Sequence, residues 1–187
     1  MQSVTSLTGK LLIAMPGMGD PRFDHSVIVL CSHGTDGAMG LIVNKPSAEI
    51  SLTKLLKQLS IATAGCEDRP VFYGGPVENS RGFVLHSADY FQGDATLDVD
   101  GRYGMTATLD VLRALASGGG PDAAIVILGY AGWGSGQLEA ELAENVWLVA
   151  DAGSELVFET QPDALWSAAI ASLGIDPLLL SGEGGQA

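Results

Sequence analysis

The sequence has few cysteines and no long hydrophobic run. Only Cys31 and Cys66 occur among its 187 residues, without the paired spacing of a zinc site or a disulfide framework. Its apolar runs, at residues 11–14, 27–31 and 123–128, are no longer than strands, so neither a signal peptide nor a transmembrane helix is predicted. We therefore expect a cytoplasmic protein that does not enter a membrane and carries no disulfide.

Basic residues are also scarce, and none follows Arg113. The chain has 9 Lys and Arg against 22 Asp and Glu, which gives a formal net charge of −13. Affinity for nucleic acid depends largely on Lys and Arg side chains that neutralise phosphates. The composition therefore disfavours nucleic acid as a partner of this chain alone.

Apolar stretches separated by turn residues predict one domain that contains both strands and helices. Strands are predicted at residues 10–15, 26–31, 39–43, 71–74, 82–86, 103–107, 123–128, 146–150 and 156–159. Helices are predicted at residues 52–59, 137–144 and 164–173, and after Thr108. We expect an α/β to α+β fold, with a mixed, largely antiparallel sheet flanked by helices and room for a small α+β subdomain. Residues 1–180 should form a single compact domain and residues 181–187 a disordered tail.

A glycine-rich segment at residues 129–136 separates a predicted strand from a predicted helix. It is predicted to be a loop, and free amides at the start of a helix can bind an anion. Alternatively, the glycines let Tyr130 and Trp133 pack against the backbone. The spacing matches neither a P-loop nor a dinucleotide-binding motif. The candidate ligand-binding residues are Gly132, Trp133, Gly134, Ser135 and Gln137.

Cys31 and His33 stand two residues apart at the end of a predicted strand. If the strand continues, both side chains leave one face, where an imidazolium can lower the pKa of a thiol. This pattern makes Cys31 and His33 candidate catalytic residues. The alternative, which we favour, is a buried strand cysteine beside a histidine in a turn.

Asn44 and Lys45 form a second candidate ligand-binding turn. Asn44 can simply end a strand before Pro46, whereas Lys45 is an isolated cation in an acidic chain. The histidines, by contrast, show none of the usual spacings of a metal site. We therefore expect neither a metal nor a cofactor.

Several segments together are similar to those of a known bacterial family. They are residues 7–14 with Met18 and Phe23, and residues 37–46, 73–77, 129–139 and 145–148. In this order they resemble the YqgE/AlgH family, the uncharacterised bacterial protein family UPF0301. The resemblance implies a cytoplasmic bacterial protein with helices around a mixed sheet and no established enzymatic activity. Some members are described as transcriptional regulators, a role that the acidic charge of this chain disfavours.

These observations predict a non-enzymatic binding or regulatory protein. We expect the glycine-rich segment and neighbouring turns to hold an unknown protein or a small anionic ligand. A thiol-dependent enzyme or redox sensor that uses Cys31 is the alternative, and a transcriptional regulator is the third hypothesis.

Overall fold

One long strand near the middle of the sheet connects the two halves of the fold. The computed structural model describes residues 6–17, 19–63, 65–151 and 153–180. Its strands are β1 Leu11–Ala14, β2 Val27–Gly34, β3 Gly37–Ile42, β4 Pro46–Ser51, β5 Pro70–Tyr73, β6 Val77–Ser87, β7 Thr96–Val99, β8 Tyr103–Thr106, β9 Ala124–Gly134 and β10 Trp147–Ala150. The order in the sheet is β10-β1-β2-β3-β9-β6-β8-β7, and β4 and β5 pair beside this path.

The sheet is mixed and largely antiparallel, which confirms the fold predicted from the sequence. Among the described strands, β5 and β9 form the only parallel pair. The first part of β9 pairs with β5 and β6, and its last residues pair with β3. Strand β9 therefore links strands β10, β1, β2 and β3 on one side to strands β6, β8 and β7 on the other.

Helices lie against the strands. They are α1 Leu52–Gln58, α2 Leu109–Ala116, α3 Gln137–Ala143, α4 Ser154–Glu159 and α5 Pro162–Ala171, with short 3-10 helices at Pro21–Phe23, Gly93–Ala95 and Pro177–Leu180. Of the helices in the described residues, none is long and apolar enough to cross a membrane.

Alternation along the strands sends buried side chains to both faces of the sheet. Leu11 and Ile13 of β1 pack in one cluster with α4 and α5, whereas Leu12 and Ala14 pack in another with α3. A third cluster joins α1 and α2 to strands β5, β6 and β9. Complete burial of one aliphatic side chain contributes roughly 1.5–3 kcal/mol, so these clusters fix the helices on the sheet.

The prediction of a loop at residues 129–136 was wrong for residues 129–134, because strand β9 continues to Gly134. Gly129 lies within this strand at a φ of 81°, and a Cβ there would lie 2.6 Å from the Gly75 carbonyl oxygen. A turn at Ser135 and Gly136 then leads into α3, with Gly136 as the N-cap at φ 76°. Strand pairing with β3 overrides the weak intrinsic strand preference of glycine.

The prediction of a strand at residues 156–159 was also wrong, because this segment lies in α4. Four residues are too few to distinguish a strand period from a helical one, and α4 is held by contacts with the first core cluster through Val157. The tail predicted at residues 181–187 lies outside the described residues.

Candidate functional site

A cleft opens where the end of β9, helix α3 and the start of β10 meet the 3-10 helix Pro21–Phe23. Its volume is about 350 Å³, within the range that holds a small ligand. Three of the predicted ligand-binding residues, Gly132, Trp133 and Gln137, line it. The other lining residues are Gly19, Asp20, Arg22, Phe23, Pro76, Val77, Glu141, Val146 and Trp147. We call this site the Trp133 cleft.

The carboxylate of Glu141 holds the wall of the cleft together. Trp133 Nε1 donates a hydrogen bond to Glu141 Oε1 at 3.0 Å, and Trp147 Nε1 donates to the same oxygen at 2.8 Å. Gln137 lies one helical turn earlier on α3, and its Nε2 donates to Glu141 Oε2 at 2.9 Å. Because hydrogen bonds to charged groups contribute about 1.5–3 kcal/mol each, this carboxylate fixes the positions of both indole rings.

The aromatic rings of the cleft pack edge to face. The centroids of Trp133 and Trp147 are 5.9 Å apart, and those of Phe23 and Trp147 are 5.7 Å apart, both with interplanar angles of 77°. Trp133 is 7% exposed and Trp147 is 3% exposed, so each ring presents only a limited part of its surface. Burial and edge-to-face packing therefore hold the rings of the aromatic wall in place.

Gly134 and Ser135 support the cleft without lining it. The Gly134 amide donates to Gln137 Oε1 at 2.9 Å, which orients the Gln137 side chain toward Glu141. Ser135 Oγ donates to the Thr35 carbonyl oxygen at 2.6 Å. These bonds tie the start of α3 to the neighbouring turn between β2 and β3.

Arg22 stands at the rim of the cleft but is already paired with Asp20. Its Nη2 donates to Asp20 Oδ2 at 2.7 Å and its Nε to Asp20 Oδ1 at 3.0 Å. The side-chain hydrogen bond from Arg22 lowers the pKa of the Asp20 carboxyl. The positive charge at the rim is therefore largely balanced within the protein.

His33 joins helix α3 to the segment before β1. The Leu7 amide donates to His33 Nδ1 at 3.0 Å, so the neutral ring carries its proton on Nε2. That nitrogen lies 2.5 Å from Glu139 Oε1, and the hydrogen bond from His33 lowers the pKa of Glu139. The His33 side chain is only 2% exposed. Its contacts therefore have a structural role, because they hold α3 against the segment before β1.

Cys31 and His33 do not share a face, although they stand two residues apart. The register of β2 against β3 shifts between Leu30 and Ser32, and this bulge at Cys31 reverses the alternation beyond it. Cys31 is 1% exposed in the first core cluster, whereas His33 faces α3. Burial raises the pKa of the Cys31 thiol to about 12, so this geometry gives thiolate chemistry no support.

The Asn44 turn lies at a different place from the Trp133 cleft. Asn44 Oδ1 accepts from the Val27 amide at 2.9 Å, and its Nδ2 donates to the His25 carbonyl oxygen at 2.8 Å. Lys45 lines a separate depression beside Trp166, and burial lowers the pKa of its amine. The two groups of predicted ligand-binding residues are therefore not brought together.

A series of hydrogen-bonded polar side chains lies in the interior, away from the cleft. His86 Nδ1 donates to the Ser87 carbonyl oxygen at 2.8 Å, so Nε2 accepts from Thr106 Oγ1 at 2.8 Å. Thr96 Oγ1 donates to Thr106 Oγ1 at 2.8 Å and accepts from the Gln92 amide at 2.9 Å. Burial lowers the pKa of His86. This histidine is therefore a neutral part of the core, and the described residues include no group of three or more His, Cys, Asp or Glu suited to a metal ion.

Sequence reasoning missed the central residue of the cleft. Glu141 follows Gln137 by four residues, which is the spacing of neighbours on one face of a helix. That spacing was readable from the sequence. The contribution of Arg22 and Phe23, by contrast, depends on a long-range approach of the 3-10 helix to β10.

Known proteins match this chain over almost its whole length. Two similar relatives are UPF0301 proteins. The one from Jannaschia sp. (strain CCS1) is 57% identical, covering 97% of this chain and 95% of its own length, and the one from Ruegeria pomeroyi is 58% identical, covering 97% and 99%.

Solved structures show the same fold. The solution structure of the AlgH protein from Pseudomonas aeruginosa has a TM-score of 0.80 and 42% identity, covering 100% of this chain and 99% of that one. A crystal structure of a protein from Corynebacterium diphtheriae has a TM-score of 0.68 at 18% identity, covering 91% and 88%, and it shares the fold alone. Residues 11–178 match the AlgH-like family. The chain therefore belongs to the AlgH-like family, which confirms the resemblance found in its sequence.

Proposed function

We propose that this chain is a non-enzymatic binding protein of the cytoplasm, and that the Trp133 cleft holds a segment of a partner protein or a small ligand. The observation that carries this proposal is the convergence of two indole N–H groups on Glu141 Oε1. This arrangement orders an aromatic wall around an open volume. Aromatic side chains that are fixed before binding lose little conformational entropy when a ligand arrives.

The buried thiol is the main reason to favour binding over catalysis. A cysteine nucleophile needs an accessible thiolate, whereas Cys31 is 1% exposed and its pKa is raised to about 12 by burial. The net charge of −13 likewise favours binding a partner other than nucleic acid.

The three tryptophans of the chain allow a direct test by NMR. We would assign the three indole N–H signals in ¹⁵N-labelled protein by single Trp→Phe variants and then add a panel of short peptides and small molecules of different charge. Ligands of the cleft should move the signals of Trp133 and Trp147. The Trp166 signal should stay in place, because that N–H donates a hydrogen bond to the Ala14 carbonyl oxygen in the core.

Two glycine variants localise the binding. Gly132 lies in the cleft, and a Cβ there would make only an ordinary contact, 3.5 Å from Tyr130 Cε2. Gly132→Val should therefore fill the cleft and weaken binding at least tenfold. Gly82→Val is the matched control, since its Cβ would meet Leu128 Cδ2 at 3.6 Å outside the cleft. A panel in which no probe moves either cleft signal would show the proposal to be wrong.

A further inference from the structure

The negative charge of Glu141 is not balanced within the cleft. Its carboxylate accepts hydrogen bonds from two indole N–H groups and one amide, all of them neutral. In the described part of the chain, no Lys, Arg or His nitrogen forms an ion pair with it. Neutral donors stabilise a carboxylate but leave its charge in place.

Arg22 does not supply the missing positive charge. It contacts the Asp20 carboxylate through both Nε and Nη2, so Asp20 and Arg22 together contribute no net charge to the lining. Glu141 is the remaining charged residue of the cleft. The cleft therefore carries an uncompensated negative charge beside the nearly buried rings of Trp133 and Trp147.

Aromatic rings near a carboxylate favour a cation. The face of an aromatic ring carries negative electrostatic potential, which attracts ammonium and guanidinium groups. Phe23, Trp133 and Trp147 all line the cleft, and the net charge of −13 attracts cations over longer distances. An anion would meet repulsion from both the carboxylate and the overall charge.

We propose that the Trp133 cleft binds an organic cation, an ammonium or guanidinium group, with the Glu141 carboxylate as its counter-charge. This inference rests on the proposed function and specifies its ligand, with a charge opposite to that of the small anionic ligand that was one of the two alternatives predicted from the sequence. The cation belongs either to a free amine or to a Lys or Arg side chain of a partner protein. Both sources present the same chemistry to the cleft.

Matched probes test the charge without any variant. Butylammonium, butanol and butyrate each contain four carbon atoms, and capped Gly-Lys-Gly and Gly-Glu-Gly peptides share one backbone. In NMR titrations of the indole signals, butylammonium and the lysine peptide should move Trp133 and Trp147 saturably, leave Trp166 in place and bind more weakly as sodium chloride is added. A lysine peptide that binds at least tenfold more tightly than butylammonium identifies a partner protein as the source, whereas equal affinities identify a free amine.

Variants within α3 and just after it then test the counter-charge. Glu141→Gln keeps an oxygen acceptor for the indoles but removes the charge, and it should weaken cation binding at least tenfold. Glu144→Gln removes an equal charge from an exposed position just after α3, and it should change affinity less than threefold.

Several outcomes would overturn this inference. Butyrate or the glutamate peptide could move the cleft signals as strongly as the cations do, or Glu141→Gln could bind cations like the wild type. Either result contradicts a cation site while leaving a binding cleft intact. If the whole panel, neutral probes included, leaves Trp133 and Trp147 unmoved, the proposed function fails together with it.

Discussion

The interior of this protein and the Trp133 cleft satisfy their buried polar groups in different ways. In the interior, Trp166 Nε1 donates to the Ala14 carbonyl oxygen at 2.9 Å, and His86 ends a chain of neutral hydroxyl groups. In the cleft, two indole N–H groups donate to a carboxylate instead.

This difference distinguishes polar groups that stabilise the fold from a charged group that is available for binding. A partly buried charge without a counter-ion costs stability, whereas the Trp166 indole is held by a neutral carbonyl oxygen. The interior is therefore arranged to stabilise the fold. The cleft retains a charge that a ligand can use.

The largest effect should come from the interior tryptophan. Trp166→Ala removes a ring packed between α5 and the sheet and deprives the Ala14 carbonyl oxygen of its donor, so the free energy of unfolding should fall by about 3–5 kcal/mol. Urea denaturation measures this loss. The indole signals of Trp133 and Trp147 should remain near their wild-type positions. A loss of stability below about 1 kcal/mol would contradict the conclusion that the interior polar groups stabilise the fold.

Truncation of the cleft carboxylate should have a smaller effect. Glu141→Ala leaves two nearly buried indole N–H groups without their acceptor, so we expect a loss of about 2 kcal/mol, and about half of that for Glu141→Gln. Urea denaturation again gives the values, with Glu144→Ala as an exposed control that should change stability by less than about 0.5 kcal/mol. If Glu141→Ala is as stable as the wild type, the carboxylate does not hold the rings.

Mild acid should destabilise the fold through the buried His86. Burial lowers the pKa of His86 from its ordinary value of 6.5, so the unfolded chain takes up the proton more readily than the folded protein does. The contribution of His86 to stability is therefore complete above pH 6.5 and is lost as the pH falls through 6.5 toward the folded pKa. Urea denaturation at pH 7.5, 6.5 and 5.5 measures it, and His86→Gln should show a weaker dependence. Equal slopes in both proteins would contradict a neutral, buried His86.

The smallest effect concerns the thiol. With Cys31 buried and its pKa raised to about 12, iodoacetamide at pH 8 should modify Cys66, which is partly exposed, and leave Cys31 unmodified. Mass spectrometry identifies the labelled residue, and labelling in urea should reach both. Cys31→Ala should leave ligand affinity in the cleft within about twofold. Rapid native labelling of Cys31 would favour a thiol-dependent enzyme.

The sequence predicted most of the fold because apolar runs such as residues 27–31 are enclosed on both faces of the sheet, where hydrophobic pattern and strand agree. It failed at Gly129–Gly134 because pairing with another strand decides the conformation of glycine, and that partner is distant in the sequence. Part of the site was visible in Trp133 and Gln137. The burial of Cys31 was the interpretation favoured from the sequence, but the placement of His33 could not be predicted, because one bulge residue reverses every later side chain of the strand.

The most direct test of the cleft is the ratio of dissociation constants for the capped Gly-Lys-Gly peptide in Glu141→Gln and Glu144→Gln, read from the Trp133 and Trp147 indole signals. Both variants lose one negative charge, so the ratio isolates the position of that charge. The account predicts a ratio of at least three. A ratio near one would contradict it, because the peptide would then respond to the overall charge and not to the carboxylate that holds the two rings.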